Sequence, residues 1–326
     1  MQPIVSASRT PSDSVLTPWT GFPPFTTTVP RQYVHRAAVS EVLLTGWEPA
    51  VDGAAVQPDA FVIRAQWPRG HSLFSQAGGY QDPMLLVESV RQIGALLSHA
   101  EFDVPFGHHF LMWDMSFAIT EELLVAGPAP TEVELHTVCS DMVRRGKNLS
   151  SMRYAVTVVV DGVALGTAAA AFRCTSPAVH KRLRGERPPI AKRALGEPIA
   201  PAAVGRTDAA HVVLSATGAD PRAYRWELRV DTGHAIFFDH EVDHVPGMLL
   251  LEAARQAAQA STGLPYTLVV AVDSTFHRYA ELDAPCWIEA HPGLPDASGD
   301  IRVKIRGTQA EESVFTAVVV LRPGRR

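Results

Sequence analysis

The sequence predicts an α+β fold in two similar halves, each a long helix followed by an antiparallel meander that can wrap around it. A helical segment, MLLVESVRQ (84–92), returns as MLLLEAARQ (248–256), 164 residues later. After a short deletion, Asp114-Met-Ser-Phe117 is matched by Asp273-Ser-Thr-Phe276. Because the similarity extends beyond one helix, the two halves are predicted to be copies of one unit.

Strand-like segments follow each helical segment in the same order. They are rich in β-branched residues and cover 133–138, 153–160 and 163–174 in the first half, and 286–290, 301–305 and 313–321 in the second. Asp161-Gly162 separates two of them by two residues, which is typical of a tight hairpin turn. Each helix is therefore predicted to be followed by a meander of antiparallel strands.

Composition changes divide the chain into four predicted parts. Residues 1–33 are rich in Pro, Ser and Thr without periodicity and predict a loose arm over the surface. Residues 34–175 and 206–326 form the two repeats, and 176–205 forms a proline-rich basic linker. The linker is either a solvated connector or a docking strip for an acidic carrier protein or a phosphate.

Bulk composition excludes several classes of protein. The 326-residue chain has 46% hydrophobic residues and a net charge of −5, which does not favour a nucleic-acid partner. Its three cysteines, Cys139, Cys174 and Cys286, lie far apart and are predicted to be reduced core residues. No secretion signal and no membrane-spanning run is present, so we expect a cytoplasmic protein without a membrane partner.

Both helices carry a narrow polar stripe. Glu252, Arg255, Gln256 and Gln259 are spaced to share one face of an otherwise apolar helix, and Glu88, Arg91 and Gln92 repeat the pattern before Ala95. Such a stripe is either a solvated face with an ion pair or a catalytic carboxylate and guanidinium. The repetition of the residue types, while their neighbours differ, favours the catalytic interpretation.

The start of the second helix offers further candidates. Pro246-Gly247 is a good helix opener, so the N–H groups of Gly247 and Met248 are free to hold a thioester oxygen as it becomes an oxyanion. The preceding His240-Glu241-Val242-Asp243-His244 fits a zinc-protease pattern, but Pro246 favours a loop rather than the required helix. We therefore predict no metal, and interpret His240 and His244 as a general base, a donor to a substrate carbonyl, or caps of loop carbonyls.

These motifs carry a resemblance to a known family. HEVDHVPGMLLLEAARQ (240–256), VHRAAVSEVLLTGW (34–47), PMLLVESVRQIG (83–94) and TFHRYAELDAPCWIE (275–289) resemble the A-factor biosynthesis family, whose members make γ-butyrolactone and related signalling molecules. The resemblance covers most of residues 34–326 and implies a tandem (double) hotdog fold, each repeat a long central helix wrapped by an antiparallel β-sheet.

The resemblance also implies an activity. It is transfer of a β-ketoacyl group from an acyl carrier protein thioester to dihydroxyacetone phosphate, without a cofactor, with Glu252, Arg255 and Glu88 as catalytic residues and Arg91 as the counterpart of Arg255. In this hypothesis Glu252 is the base, and Arg255 holds phosphate or developing charge. We group Arg91, Gln256, Gly247, Met248, His240 and His244 as substrate-binding candidates.

Other interpretations stay open. Arg144, Arg145 and Lys147 resemble a solvated turn that could contact the carrier protein or its phosphopantetheine. A dehydratase or a thioesterase acting on acyl thioesters, or a non-catalytic acyl binder, would also suit a hotdog fold. The chain is expected to act as a monomeric pseudo-dimer or as a homodimer.

Overall fold

A computed structural model describes residues 26–53, 55–185, 194–216 and 224–324. The first repeat contains β1 (Leu44–Asp52), β2 (Ala55–Trp67), α1 (Met84–Ala100), β3 (His109–Ile119), α2 (Glu121–Leu124), β4 (Thr131–Arg145), β5 (Asn148–Val160) and β6 (Val163–Thr175). The second contains β7 (Leu214–Ser215), β8 (Arg225–Leu228), α4 (Gly247–Thr262), β9 (Thr267–Phe276), β10 (Cys286–Pro292), β11 (Ile301–Gln309) and β12 (Glu312–Pro323), preceded by α3 (Pro177–Arg184).

The strands form one continuous antiparallel sheet. Its order is β1-β2-β4-β5-β6-β3-β9-β12-β11-β10-β8-β7, so the second half repeats the first in reverse. The halves meet where β3 pairs with β9, with Asp114 opposite Thr275 and Ser116 opposite Asp273. The duplicated Asp-x-x-Phe segments therefore form the seam between the repeats.

Each long helix is almost wholly buried against its half of the sheet. In α1, the Tyr154 hydroxyl donates to the Val90 carbonyl at 2.7 Å, and a Cβ on Gly94 would lie only 2.9 Å from the Tyr154 oxygen. Gly94 therefore allows β5 to approach the helix closely. Among the described residues, no helix is long and apolar enough to cross a membrane.

The strands predicted from sequence are confirmed. β4, β5, β6, β10, β11 and β12 contain the six predicted segments and extend most of them. Asp161 and Gly162 both have positive φ, of 50° and 75°, as the predicted hairpin turn between β5 and β6 requires. Six strands were not predicted: those that precede each helix, β1, β2, β7 and β8, and those at the seam, β3 and β9.

The predicted arm and linker are only partly described. Residues 1–25 and 186–193 lie outside the described residues. Val29 is buried and its amide donates to Leu44, so the end of the predicted arm packs on the first repeat. Within the predicted linker, residues 177–184 form α3, and Arg184 is buried in ion pairs with Asp243 and Glu281. This part of the linker is a packed helix.

Candidate active site

The predicted stripe on α4 is the centre of a buried charged cluster. The Glu252 carboxylate is fully buried and accepts from Arg255 through Nε (2.8 Å) and Nη2 (2.7 Å). It also accepts from Arg206 Nε at 2.9 Å and from Gln256 Nε2 at 2.6 Å. The pair predicted from the sequence therefore faces the protein interior and includes a second arginine. We call these four residues the Glu252 cluster.

The same arrangement recurs on α1. Glu88 accepts from Arg91 through Nε (2.9 Å) and Nη2 (2.7 Å). Arg36 Nε donates to it at 3.0 Å and Gln92 Nε2 at 2.6 Å. We call these four residues the Glu88 cluster. The duplication predicted from the sequence therefore extends to the hydrogen bonds of the two glutamates.

Arg36 and Arg206 were not among the residues predicted from the sequence. Each follows a short 3-10 helix, Arg31–Val34 or Pro201–Val204, far upstream of the glutamate that it contacts. The carbonyls of Val34 and Val204, two residues before these arginines, accept from Arg91 and Arg255. The signal that could have identified the arginines is the repeated Val-x-Arg at 34–36 and 204–206.

Each cluster also joins the two repeats. Arg206 Nη1 donates to the Leu73 carbonyl at 2.8 Å and to Asp82 at 2.7 Å, both in the first repeat. Arg36 Nη1 donates to the Ile236 carbonyl in the second repeat at 2.9 Å. The clusters are therefore related by the pseudo-twofold symmetry of the duplication and lie at the interface between the repeats.

The arginines decide the ionisation of both glutamates. Burial alone would raise the pKa of Glu88, but Arg36 and Arg91 outweigh it and lower that pKa to about 2. Burial likewise opposes Arg206 and Arg255 at Glu252, and its pKa is also lowered to about 2. Both carboxylates are ionised and are weak proton acceptors at neutral pH.

The clusters differ in the number of carboxylates that bind their arginines. In the Glu252 cluster, Asp82 supplies a second carboxylate to Arg206, so two guanidiniums share two carboxylates. Pro246 stands at the equivalent place before α4, and the two guanidiniums of the Glu88 cluster share one carboxylate. Only Glu88 contacts these two guanidiniums directly, while the buried Asp239 carboxylate lies near enough to raise the pKa of Arg91.

The two helix arginines, Arg255 and Arg91, also differ in how far their side chains are exposed. The Arg255 side chain is 8% exposed, and its Nη1 donates to Gln259 at 3.5 Å. Arg91 is 20% exposed, because Ala95 replaces Gln259, and among the described residues its Nη1 makes no hydrogen bond. The Glu88 cluster can therefore bind an anion with a group that is closed off in the other cluster.

The residue before the second arginine of each cluster also differs between the repeats. Gly205 lies against Gln259, because a Cβ there would come within 2.7 Å of Gln259 Oε1. The equivalent residue of the first repeat is His35, whose Nε2 lies 2.7 Å from His99 Nε2. Burial, Arg91 and the neighbouring histidines lower the pKa of His35 to about 3, so this ring is neutral. A histidine pair thus stands beside Arg91 where the other cluster has glutamine and glycine.

The starts of the two helices also differ. The Met84 amide donates to Asp82 at 2.9 Å, and Asp82 binds Arg206, so the start of α1 is closed by a carboxylate. At the start of α4, none of the described side chains caps the amides of Gly247 and Met248. By the pseudo-twofold relation these amides belong to the side of the Glu88 cluster. They can hold an anionic oxygen there.

His240 and His244 lie in the loop before α4, as predicted. His240 is 48% exposed, and its pKa is lowered by burial and then by Arg91, which puts it on the side of the Glu88 cluster. His244 donates through Nδ1 to Asp243 at 2.7 Å. The described residues contain no group of side chains arranged to hold a metal ion.

Two other sets of candidates have simpler surroundings. The amide of Gln256 is fully used inside the protein, since it accepts from Val213 and donates to His211 and Glu252. Arg144, Arg145 and Lys147 are exposed at the β4–β5 turn and contact neither cluster. Gln256 therefore orients the cluster, and the basic turn is a separate surface.

A small pocket adjoins the Glu252 cluster. Its cavity volume is about 10 Å³, room for about one water molecule, and its walls include Val213, His234, Phe237 and Leu249. This volume is below the roughly 300–1,000 Å³ of typical ligand pockets. The side chains around it would have to move before a long acyl chain could enter.

Two long helices, each wrapped by half of a shared antiparallel sheet, define a double hotdog protein with paired charged clusters between its repeats. The A-factor biosynthesis hotdog domain matches residues 20–176 and again residues 190–323. The chain belongs to the A-factor biosynthesis (AfsA) family, which confirms the resemblance noted in the sequence.

Curated relatives share one name. The chain is 50% identical to a 2-oxo-3-(phosphooxy)propyl 3-oxoalkanoate synthase of Streptomyces virginiae, over 90% of this chain and 97% of the relative. It is 36% identical to a synthase of the same name from Streptomyces griseus, over 88% and 93%. A putative oleoyl thioesterase of Lactobacillus plantarum is similar in structure at a TM-score of 0.49 and 14% identity, over 82% of this chain and 97% of that one.

Proposed function

We propose that this chain joins a β-ketoacyl group to dihydroxyacetone phosphate, forming a 2-oxo-3-(phosphooxy)propyl 3-oxoalkanoate. The name of the curated relatives, one of them 50% identical over nearly its whole length, supports this product. The acceptor hydroxyl attacks the thioester carbonyl, a C–O bond forms, and the C–S bond breaks. The hydroxyl proton ends on the released thiol, so the transfer needs no cofactor.

The reaction is assigned to the Glu88 cluster. The observation that carries this assignment is the unpaired, partly exposed Nη1 of Arg91 in a cluster with one carboxylate for two guanidiniums. A phosphate is an anion that such a group binds strongly. His240 lies on the same side, and the amides of Gly247 and Met248 would receive the thioester oxygen as it becomes negative.

The other candidate residues take supporting roles in this proposal. A carboxylate with a pKa near 2 is a poor base, so Glu252 and Glu88 are assigned to orienting arginines rather than to deprotonation. Arg255 and Gln256 complete the closed Glu252 cluster, which ties the second repeat to Asp82 of the first through Arg206. This replaces the predicted role of Glu252 as the base.

The acyl donor is proposed to be an acyl carrier protein in the cytoplasm. Such carrier proteins are acidic, and Arg144, Arg145 and Lys147 form an exposed basic turn that suits contact with one. Replacing all three residues with Ala should raise the KM for the acyl carrier thioester and leave the KM for the phosphate acceptor unchanged. If the variant and the wild type had equal KM values for the acyl carrier thioester, a role of this turn in binding the carrier protein would be refuted.

The activity is tested with the purified chain, a β-ketoacyl carrier protein and dihydroxyacetone phosphate. Mass spectrometry should detect the phosphorylated ester and stoichiometric free carrier thiol. Release of the free β-keto acid alone would identify a thioesterase. Dehydration of a 3-hydroxyacyl thioester, without ester formation, would identify a dehydratase. Binding of the acyl thioester without turnover would identify a non-catalytic binder.

The assignment to the Glu88 cluster is tested by Arg91→Ala. Loss of a charge-assisted contact worth about 1.5–3 kcal/mol should raise the KM for the phosphate acceptor roughly 10- to 100-fold. Arg302, exposed on β11, provides the matched control, and Arg302→Ala should leave both KM values unchanged. An unchanged acceptor KM in a folded Arg91→Ala protein would refute the assignment.

A further inference from the structure

An aspartate–histidine pair precedes α4, outside both charged clusters. Asp243 Oδ1 accepts from His244 Nδ1 at 2.7 Å. An ionised carboxylate only accepts hydrogen bonds, so in the neutral ring the proton lies on Nδ1 and the lone pair on Nε2. The side chain of His244 is 26% exposed. This is the arrangement of a histidine base held in one tautomer by a carboxylate.

The carboxylate of this pair is firmly held. His180 Nε2 donates to Asp243 Oδ2 at 2.9 Å, and Arg184 Nε donates to the same oxygen at 3.0 Å. Arg184 is itself held by two bonds to Glu281, each of 2.8 Å. The bond from His244, followed by those from His180 and Arg184, keeps the pKa of Asp243 well below its ordinary value against the effect of burial. Asp243 therefore remains ionised and orients His244.

A second polar group lies beside the ring of His244. The Tyr279 ring meets His244 edge to face, with centroids 4.8 Å apart. The Tyr279 hydroxyl oxygen is buried and has no hydrogen-bond partner among the described residues. A buried polar atom of this kind usually requires a partner, and a polar substrate at His244 would provide one.

Strand β3 connects this pair to the Glu88 cluster. Arg91 binds the carbonyl of Val34, and the adjacent His35 ring meets Phe110 with centroids 4.8 Å apart. His109, the neighbour of Phe110 in β3, stacks on His180 at 3.7 Å. His180 in turn donates to Asp243. His109 and Phe110 are consecutive in β3, so their side chains lie on opposite faces of the strand, and the backbone of β3 joins the contacts around Arg91 to those around His244.

His244 is also close to the proposed oxyanion site along the chain, because only Val245 and Pro246 separate it from Gly247. A thioester held by the amides of Gly247 and Met248 would present its carbonyl carbon near the imidazole. The acceptor hydroxyl must approach the same carbon. The two helix glutamates are weak candidate bases because of their ion pairs with arginines. His240 is a further candidate, but its Nδ1 lies 3.7 Å from the nearest carboxylate oxygen, on Asp239, so its ring is less firmly oriented than that of His244.

We propose that His244, oriented by Asp243, accepts the proton of the acceptor hydroxyl in the acyl transfer, an inference that rests on the proposed function. As the hydroxyl oxygen attacks the thioester carbonyl, Nε2 takes the proton and the carbonyl oxygen becomes negative. When the intermediate collapses, the C–S bond breaks and the imidazolium returns the proton to the departing thiolate. Asp243 is a positioning residue that stabilises the imidazolium.

The test measures ester formation by the full chain with His244→Ala and Asp243→Asn. His244→Ala should lower kcat by about 10²- to 10⁴-fold with little change in the KM for the phosphate acceptor. Added imidazole should restore part of the turnover. Asp243→Asn should lower kcat without rescue by imidazole, because the histidine remains but its tautomer is wrong. His136→Ala, at an exposed ring on β4, is the matched control and should keep wild-type turnover.

The outcomes separate the two proposals. A wild-type protein that makes no ester refutes the proposed function, and the role of His244 is refuted with it. A wild-type protein that makes the ester, together with a His244→Ala protein within about threefold of its kcat, refutes only the role of His244. A loss of turnover that imidazole does not restore, with the same fall in melting temperature as His180→Ala, would make the pair a tether for α3 and would also overturn the proposal.

Discussion

Replacing Glu252 with Gln should destabilise the fold severely, although the two side chains have nearly the same shape. The carboxylate is fully buried and binds Arg206 and Arg255. Its pKa is lowered from an ordinary 4.5 to about 2, which corresponds to about 3 kcal/mol of preferential stabilisation of the ionised form, at about 1.4 kcal/mol for each tenfold change. Breaking a buried ion pair by removing one partner costs about 3–5 kcal/mol, which agrees with this value.

A loss of that size is a large part of the roughly 5–15 kcal/mol that stabilises a typical protein. Urea denaturation followed by circular dichroism should therefore show a free energy of unfolding about 3–5 kcal/mol lower in Glu252→Gln than in the wild type. Glu134, an exposed carboxylate on β4, is the matched control, and Glu134→Gln should change that free energy by less than about 0.5 kcal/mol. A change below about 1 kcal/mol in Glu252→Gln would refute the view that this glutamate holds the cluster together.

Three further predictions follow from the same contacts. The pKa values of the two buried helix glutamates are lower in the folded protein than in the unfolded chain. Their contribution to the stability of the fold is therefore present above about pH 4.5 and is lost as the pH falls towards 2. An unchanged melting temperature between pH 6 and pH 3 would contradict this. The double variant His35→Gly with Ala95→Gln gives the Glu88 cluster the residues that close the Glu252 cluster. It should raise the KM for the phosphate acceptor about tenfold or more and leave the melting temperature unchanged. An unchanged KM would count against phosphate binding at Arg91. Gly94→Ala should cost about 1–3 kcal/mol in urea denaturation, because the new Cβ would meet the Tyr154 oxygen; a gain in stability would instead mean that helix propensity dominates.

The part of the fold that could be predicted from the sequence is the part with a regular pattern. The two long helices and the strands β4, β5, β6, β10, β11 and β12 have clear periodicity and turn residues. β1 has bulges near Gly46 and Pro49, which interrupt its alternation, and β7 contains only two residues. Those strands exist because they extend a sheet whose other strands are already placed, which is tertiary information that a local pattern does not contain.

The candidate site was predictable where it is local to one helix. The spacing of Glu252 and Arg255 placed them on one face, and the repeat supplied Glu88 and Arg91. Arg206 joins the Glu252 cluster from 46 residues away in sequence, so spacing on the helix could not reveal it. The pKa of each glutamate, which burial raises and ion pairing lowers, also depends on the second arginine of its cluster. It could therefore not be predicted from the helix alone.

The continuous sheet joins two copies of one unit in a single chain, and this has a consequence for how the protein could change. In an assembly of identical subunits, every substitution appears at both symmetry-related centres at once, so a sealed centre and an open one cannot arise from one sequence. Once the copies are fused, each accepts substitutions independently of the other. One copy could keep a closed cluster that holds the halves together, while the other copy acquired histidines and an arginine with a free Nη1. The fusion therefore allows the two clusters to have different functions.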